Sequence, residues 1–173
     1  MVQLSFEPAL DPYHTMFRGL RLLPIVRPIG RLEREHVRIL DFFLVFPFKL
    51  PELRLKQEHR RFRALGNRYA VQKPYAEQPE SSLLIKRMAP ISDAAFQSLA
   101  AKGFIDGSDY DAGWVKPVEK WIPDELSGKI EAANSDQQDL MDFLGTLASE
   151  YDLGGENGLK HRSGLMEHRY DAV

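Results

Sequence analysis

The stretch that decides the fold is Leu32-Glu-Arg-Glu-His-Val-Arg-Ile-Leu-Asp-Phe-Phe-Leu-Val-Phe46. Its first half is charged on one side, whereas residues 40–46 are apolar at every position except Asp41. A helix that is apolar all round must be covered by other elements on most of its sides. Pro47 and Pro51 follow it, and proline lacks the N–H that would continue a helix. The sequence therefore predicts a central helix that ends at Pro47 and against which the other helices pack.

The composition describes one ordinary domain. The chain has 173 residues, of which 43% are hydrophobic and 28% charged, which is typical of a globular protein. The absence of cysteine excludes disulfides, thiolate zinc sites and cysteine nucleophiles. The N-terminal residues lack a signal-peptide pattern, and the longest apolar run, 42–48, is far below the roughly 20 residues that span a bilayer. We predict a cytoplasmic protein.

The charges are unevenly distributed, although the net charge is only −2. Between residues 49 and 73 eight basic residues face two acids, and between 106 and 156 thirteen acids face three lysines. Such a chain favours a charged partner or a second copy of itself, and a mixed solvated surface is the alternative. The candidate contacts to a partner or to nucleic acid are Arg54, Lys56, Arg60, Arg61, Arg63, Arg68, Arg162 and Arg169.

The first helix is predicted from its cap and its periodicity. Asp11 suits an N-cap, and Pro12 suits the first helical position. Apolar residues then recur at helical spacing, namely Tyr13, Met16, Phe17, Leu20 and Leu23. We expect Pro24 and Pro28 to break this helix.

The basic segment is predicted to be a helix over residues 53–65. Gly66 and Asn67 tolerate the left-handed conformation and would end it, and residues 69–80 would form a loop. The serines at 81–82 would then cap a short helix that ends before Pro90.

A second helix is predicted to begin at Ser92 and to end at Gly103. The apolar stretches 104–105 and 114–118 flank a polar loop, 106–113, as two short strands flank a wing. We therefore predict a mainly α fold (α+β): a winged-helix-like core, a short two-stranded wing, C-terminal helices and a partly extended tail.

Two C-terminal helices are predicted, the first over residues 124–133. A capping box at 135–138 would start the second, and Gly154 would end it. We predict a single domain over residues 1–156 and a tail, 157–173, that docks on the domain or on a partner.

The sequence contains no catalytic signature. Its five histidines do not fall at metal-ligand spacing on one helix face. The polar loop 106–111 is similar to a calcium loop but lacks the glutamate at its twelfth position, where Pro117 stands. There is no glycine-rich phosphate loop. We predict a protein that is not an enzyme and that binds no metal or cofactor.

A winged-helix DNA-binding regulator is the alternative function. Lysines and arginines between 54 and 68 could neutralise phosphates. The expected recognition helix, 92–102, carries only Lys102 as a base and Asp93 as an acid. The wing carries further aspartates, which would repel a phosphate backbone. DNA contact by residues 54–68 would therefore be independent of base sequence.

Three stretches together resemble a known family. They are Asp11-Pro-Tyr-His-x-x-x-Arg18-x-Leu20-Arg-Leu-Leu23, Arg38-Ile-Leu-Asp-Phe-Phe-Leu-x-Phe-Pro47 and Gly158-Leu-Lys-x-Arg-Ser-Gly-Leu-x-Glu-x-Arg-Tyr170. The family comprises the middle components, type five, of bacterial ABC-three-component systems. The resemblance implies a non-catalytic subunit that works with an SMC-like ABC ATPase and an effector in defence against phage or plasmids. It brings no catalytic residues with it.

Overall fold

The computed structural model describes residues 7–166, which form a mainly α-helical fold with one small antiparallel sheet. The predicted fold class is therefore confirmed. The elements in chain order are α1 Pro12–Val26, β1 Leu32–Glu33, α2 Arg34–Val45, α3 Arg63–Tyr69, α4 Ser81–Ala101, α5 Gly107–Asp111, β2 Trp114–Val115, α6 Asp124–Asp136, α7 Gln138–Glu150 and α8 Leu159–Ser163. Short 3₁₀ segments lie at Pro8–Leu10, Pro47–Glu52, Gln57–Phe62 and Ala70–Gln72.

Helix α2 is the centre of the molecule. Leu40 and Phe42 are 0% exposed and Phe43 is 1% exposed, because α1, α4 and α7 pack around this helix. The predicted burial of residues 40–46 is confirmed. The helix ends at Val45, and the 3₁₀ segment after it begins at Pro47.

The one acid in this apolar stretch, Asp41, is paired inside the core. Arg18 Nε lies 2.5 Å from Asp41 Oδ1, and Arg18 Nη2 lies 3.1 Å from Oδ2. Two further Arg18 N–H groups reach the Pro8 carbonyl at 2.9 Å and Thr15 Oγ1 at 3.0 Å. Both charges are thus hydrogen-bonded, as buried charges must be. The pair joins α1 to α2.

Two predicted helix breaks are wrong, and both concern proline. Helix α1 continues past Pro24 to Val26, and α4 passes through Pro90 without ending. The two helices predicted on either side of Pro90 are therefore one. Proline removes one backbone hydrogen bond from a helix. Burial of Met88 and Ser92 beside Pro90 holds the helix together across that loss.

The basic segment is not the helix predicted over residues 53–65. It enters without helical structure, forms the 3₁₀ segment Gln57–Phe62, and becomes α3 only at Arg63. Helix α3 also passes the predicted stop at Gly66 and continues to Tyr69. A Cβ on Gly66 would lie 2.7 Å from the Pro51 ring, so this glycine serves close packing instead of a helix end.

The sheet joins strand β1, which the sequence analysis missed, to β2. Leu32 pairs with Val115, and Glu33 pairs with Trp114. The predicted strand 104–105 contributes a single bridge, from Ile105 to Pro117. Its polar loop contains the short helix α5, whose N-cap is Asp106. The winged-helix likeness itself stays a prediction.

The predicted capping box at 135–138 is wrong. Ser135 lies inside α6, and α7 begins at Gln138 without a side-chain cap. Helix α6 runs to Asp136, and Arg21 binds this end of it. Arg21 Nε donates to Asn134 Oδ1 at 2.9 Å, and Arg21 Nη2 donates to Gln137 Oε1 at 2.8 Å.

The segment after residue 157, for which no helix was predicted, contains the short helix α8. Leu159 and Leu165 are buried in the core cluster of the domain. Among the described residues, no helix has the length and apolar character needed to cross a membrane.

Candidate interaction surface

The basic segment lies against the C-terminal end of α7 and is held there by His59. The buried His59 ring lies 2.9 Å from Tyr151 Oη through Nδ1 and 3.0 Å from Glu150 Oε2 through Nε2. The ring therefore links the tyrosine hydroxyl to the Glu150 carboxylate through its two nitrogens. The Lys56 backbone N–H donates to the same Tyr151 oxygen at 3.0 Å. Burial raises the pKa of Tyr151 above its ordinary value, so its hydroxyl stays protonated at neutral pH.

The side chain of Lys56 makes contacts within the domain. Its Nζ donates to the Glu150 backbone carbonyl and lies 4.6 Å from the centre of the Tyr151 ring. A cation over an aromatic face is attracted by the ring quadrupole. This candidate contact residue therefore fixes the segment to α7.

Two candidate residues that are distant in sequence, Arg54 and Arg162, meet each other. The Arg54 N–H donates to the Arg162 carbonyl at 3.0 Å, and Arg162 Nη1 donates to the Arg54 carbonyl at 2.9 Å. Arg54 Nη2 donates to the His161 carbonyl at 2.5 Å, and Arg162 Nε donates to the Asn157 carbonyl at 2.7 Å. We call this set of bonds the 54–162 clasp. It ties the start of the basic segment to α8.

The other arginines of the segment are exposed. Arg68 forms an ion pair with Asp139 on α7, and the Arg61 guanidinium lies 4.9 Å from the Phe62 ring. The side chains of Arg60 and Arg63 have no hydrogen bond, ion pair or ring contact within residues 7–166. These two are the arginines of the segment that the domain leaves entirely to solvent.

The last candidate, Arg169, lies outside the described residues. The sequence analysis also missed the residues that anchor the surface, above all His59 and Tyr151. Their partnership spans 92 positions, and no local pattern signals it. The clustered basic residues of the sequence predicted the segment as a whole. The structure divides these residues into those that anchor the segment to the domain and the arginines that face solvent.

Asp109 in the polar loop 106–113 has partners among the described residues. Arg31 lies 3.0 Å and Lys116 lies 3.5 Å from the Asp109 carboxylate, and Arg31 also covers the Trp114 ring at 4.3 Å. Trp121 is 76% exposed. Of the two tryptophans, Trp121 is therefore the more exposed, since Trp114 is half-buried.

Tyr110, which stands on α5 in the polar loop 106–113, is buried. Its hydroxyl donates to Asp93 Oδ1 at 2.8 Å, and burial, with that bond, raises its pKa to about 12. This shifted group is therefore a packing contact between α5 and α4.

The fold and this surface define a helical domain with an arginine-rich face. Across the part of the chain that the structure describes, no three His, Asp or Glu side chains gather as a metal site. The model of the family named ABC-three component (ABC-3C) system Middle Component 5 matches residues 4–171. The chain therefore belongs to this family, and the resemblance seen in the sequence is confirmed. No curated protein and no solved structure matches the chain.

Proposed function

We propose that this chain is the non-catalytic middle subunit of a bacterial three-component system, and that it connects an SMC-like ABC ATPase to an effector. The complex would act in the cytoplasm, in defence against phage or plasmids. The observation that carries the proposal is the family match across residues 4–171. A middle component of a system implies further components with which it assembles.

The exposed surface supports a connecting role. Arg60 and Arg63 face solvent without a charged partner in the described range, and Trp121 is also exposed. Arginine and tryptophan are enriched at protein interfaces, and they dominate the energetic centres of many of them.

The titratable groups support a non-catalytic role. An active site brings groups with shifted pKa values together in a pocket. Here the shifted groups are held by packing contacts in separate places: Arg21 at the end of α6, His36 against the Leu147 carbonyl, Tyr110 against Asp93 and Tyr151 at the basic segment.

Co-purification tests the proposal. The chain, with an affinity tag, is expressed together with the ATPase and the effector encoded beside it. We expect both to be retained, and we expect Arg60→Glu with Arg63→Glu to release at least one of them. Recovery of the chain alone while both partners are soluble would contradict the adaptor function.

Contact with DNA by the same arginines is the competing outcome. It would give a shift of duplex DNA in a gel that weakens steeply with added salt, because phosphate contacts release counterions. The charge-reversed variant would then lose that shift. Retention of both proteins by the chain, with no salt-sensitive DNA shift, would leave the adaptor as the function.

A further inference from the structure

A groove of about 360 Å³ lies between the 3₁₀ segment Pro47–Glu52 and α3. Apolar side chains form its floor: Leu50, Leu53 and Phe143 are buried, and Leu55 and Phe62 are half-buried. Arg54, Arg63 and Asn67 supply the polar part of the lining. Its volume falls in the range of about 300–1,000 Å³ typical of small-ligand pockets. The groove therefore has room for a large apolar side chain.

Contacts on three sides make the groove a fixed feature of the domain. Gly66 lets Pro51 approach α3, since a Cβ there would lie 2.7 Å from the proline ring. The Phe62 ring packs on Phe143 with 4.8 Å between centroids. The 54–162 clasp holds the start of the segment. A preformed groove binds a partner without first being ordered, which favours affinity.

The rim of the groove is positive. Arg54 and Arg63 line it, and none of its lining residues is Asp or Glu. Arg54 donates to a backbone carbonyl and forms no ion pair within residues 7–166. Arg63 has no side-chain partner within residues 7–166, and the exposed Arg60 lies one 3₁₀ turn before it. An apolar floor under uncompensated arginines is complementary to an apolar residue flanked by carboxylates.

We propose that this groove binds an acidic linear segment of a partner component. One large apolar side chain of that segment would enter the groove, and carboxylates on either side of it would pair with Arg54 and Arg63. The inference rests on the proposed function, for which it names the docking site and the chemistry of the partner. Nucleic acid fits less well, because phosphates and sugars gain nothing from the apolar floor.

Peptide binding tests the groove directly. Short overlapping peptides that tile the ATPase and the effector are titrated with the full chain by fluorescence anisotropy. We expect binding by tiles that combine a large apolar residue with several carboxylates. Arg63→Glu should weaken it about tenfold or more, because a like charge replaces an attraction. Asn67→Trp should abolish it, since Asn67 lines the groove and tryptophan would fill it.

Matched controls separate the groove from general effects. Arg87→Glu and Gln97→Trp make the same changes at exposed positions of α4 that do not line the groove, and binding should be unchanged. Arg63 and Asn67 are exposed, so their variants should keep the wild-type circular dichroism and melting temperature.

The failures of the two proposals are distinguishable. If intact partners co-purify but no tile binds, or if bound tiles tolerate Arg63→Glu and Asn67→Trp, the groove inference is wrong and the adaptor function stands. If groove-dependent tiles bind but intact partners never co-purify, the adaptor function fails alone. Duplex DNA that displaces a bound tile, and that loses binding with Asn67→Trp, would overturn the assignment to a protein segment.

Discussion

Charged residues occupy two contrasting environments in this molecule, the interface of α1 with α2 and the basic segment on the surface. In the interface, Arg18 and Asp41 form a doubly hydrogen-bonded ion pair, and Arg18 also donates to the Pro8 carbonyl and to Thr15. In the basic segment, Arg63 extends into solvent with no partner among residues 7–166.

The two environments differ in how much their charges contribute to stability: the fold depends on the buried pair and not on the exposed arginines. A buried ion pair that loses one member leaves an uncompensated charge in the core. An exposed arginine contributes little to stability. Arg63 beside the groove has no partner within residues 7–166, so the proposed contact, and not the fold, is the role that we assign to it. The predictions below test that division.

The largest effect is expected for Asp41→Ala. The change leaves Arg18 charged and buried without its carboxylate, which should lower the free energy of unfolding by about 3–5 kcal/mol. Urea denaturation measures the loss. The double variant Arg18→Met, Asp41→Leu should recover much of it, because apolar residues can replace a buried pair. A loss below about 1 kcal/mol for Asp41→Ala would mean that the buried pair contributes no more to stability than an exposed ion pair does.

Gly66→Ala should produce an intermediate effect. The added methyl would meet the Pro51 ring at 2.7 Å, and overpacking of this kind costs about 1–3 kcal/mol. Gly145→Ala is the matched control, since Gly145 also lies inside a helix but has nothing within 4 Å of an added Cβ. It should stabilise the protein by about 0.5–1 kcal/mol. Equal effects in thermal denaturation would show that Gly66 is not a close-packing position.

A smaller effect is expected from pH, through His36 in the interior. Its Nε2 lies 3.1 Å from the Leu147 carbonyl, and burial lowers its pKa below 6.5, although Glu33 and Asp152 oppose the shift. The unfolded chain therefore binds a proton at a higher pH than the folded one does. Stability should fall as the pH drops through about 6.5. Urea midpoints at several pH values should show a weaker dependence in His36→Gln, and an unaltered dependence would count against this assignment.

The smallest effect on stability is expected for Arg63→Glu, within about 0.5 kcal/mol. The side chain is exposed and has no partner within residues 7–166 to lose. Arg68→Glu is the comparison, since Arg68 is paired with Asp139 and should lose up to about 1 kcal/mol. Thermal denaturation of both variants measures the difference. A larger loss for Arg63→Glu than for Arg68→Glu would mean that the fold depends on Arg63.

The sequence predicted the features whose causes are local. Asp11 caps α1 by accepting from the His14 N–H at 2.9 Å, as the residue types required. The burial of residues 40–46 followed from their uniform apolarity. Both predictions use only the chemistry of neighbouring positions, and both are confirmed.

The features that escaped prediction depend on distant partners. Strand β1 exists because its two residues pair with Trp114 and Val115, and the charged residues after Leu32 gave no strand signal. Pro90 itself is exposed, but it stands inside a helix because Met88 and Ser92, two positions away on either side, are buried. The groove likewise joins Leu50 to Phe143, residues too far apart for any periodicity to connect. The clustered charges of the sequence indicated the basic surface, whereas the groove beside it is visible only in the folded structure.

The 54–162 clasp makes the shape of the groove depend on a part of the chain that follows α7. Arg54 is bonded on both sides of its peptide unit to Arg162, so removal of α8 would release the residue that forms one end of the rim. A protein shortened after residue 157 would keep every arginine of the basic segment but would lose the bonds to Arg162 that hold the start of that segment in place. Shortened forms of this subunit would then misreport its affinity for other components, even where the helical core folds normally.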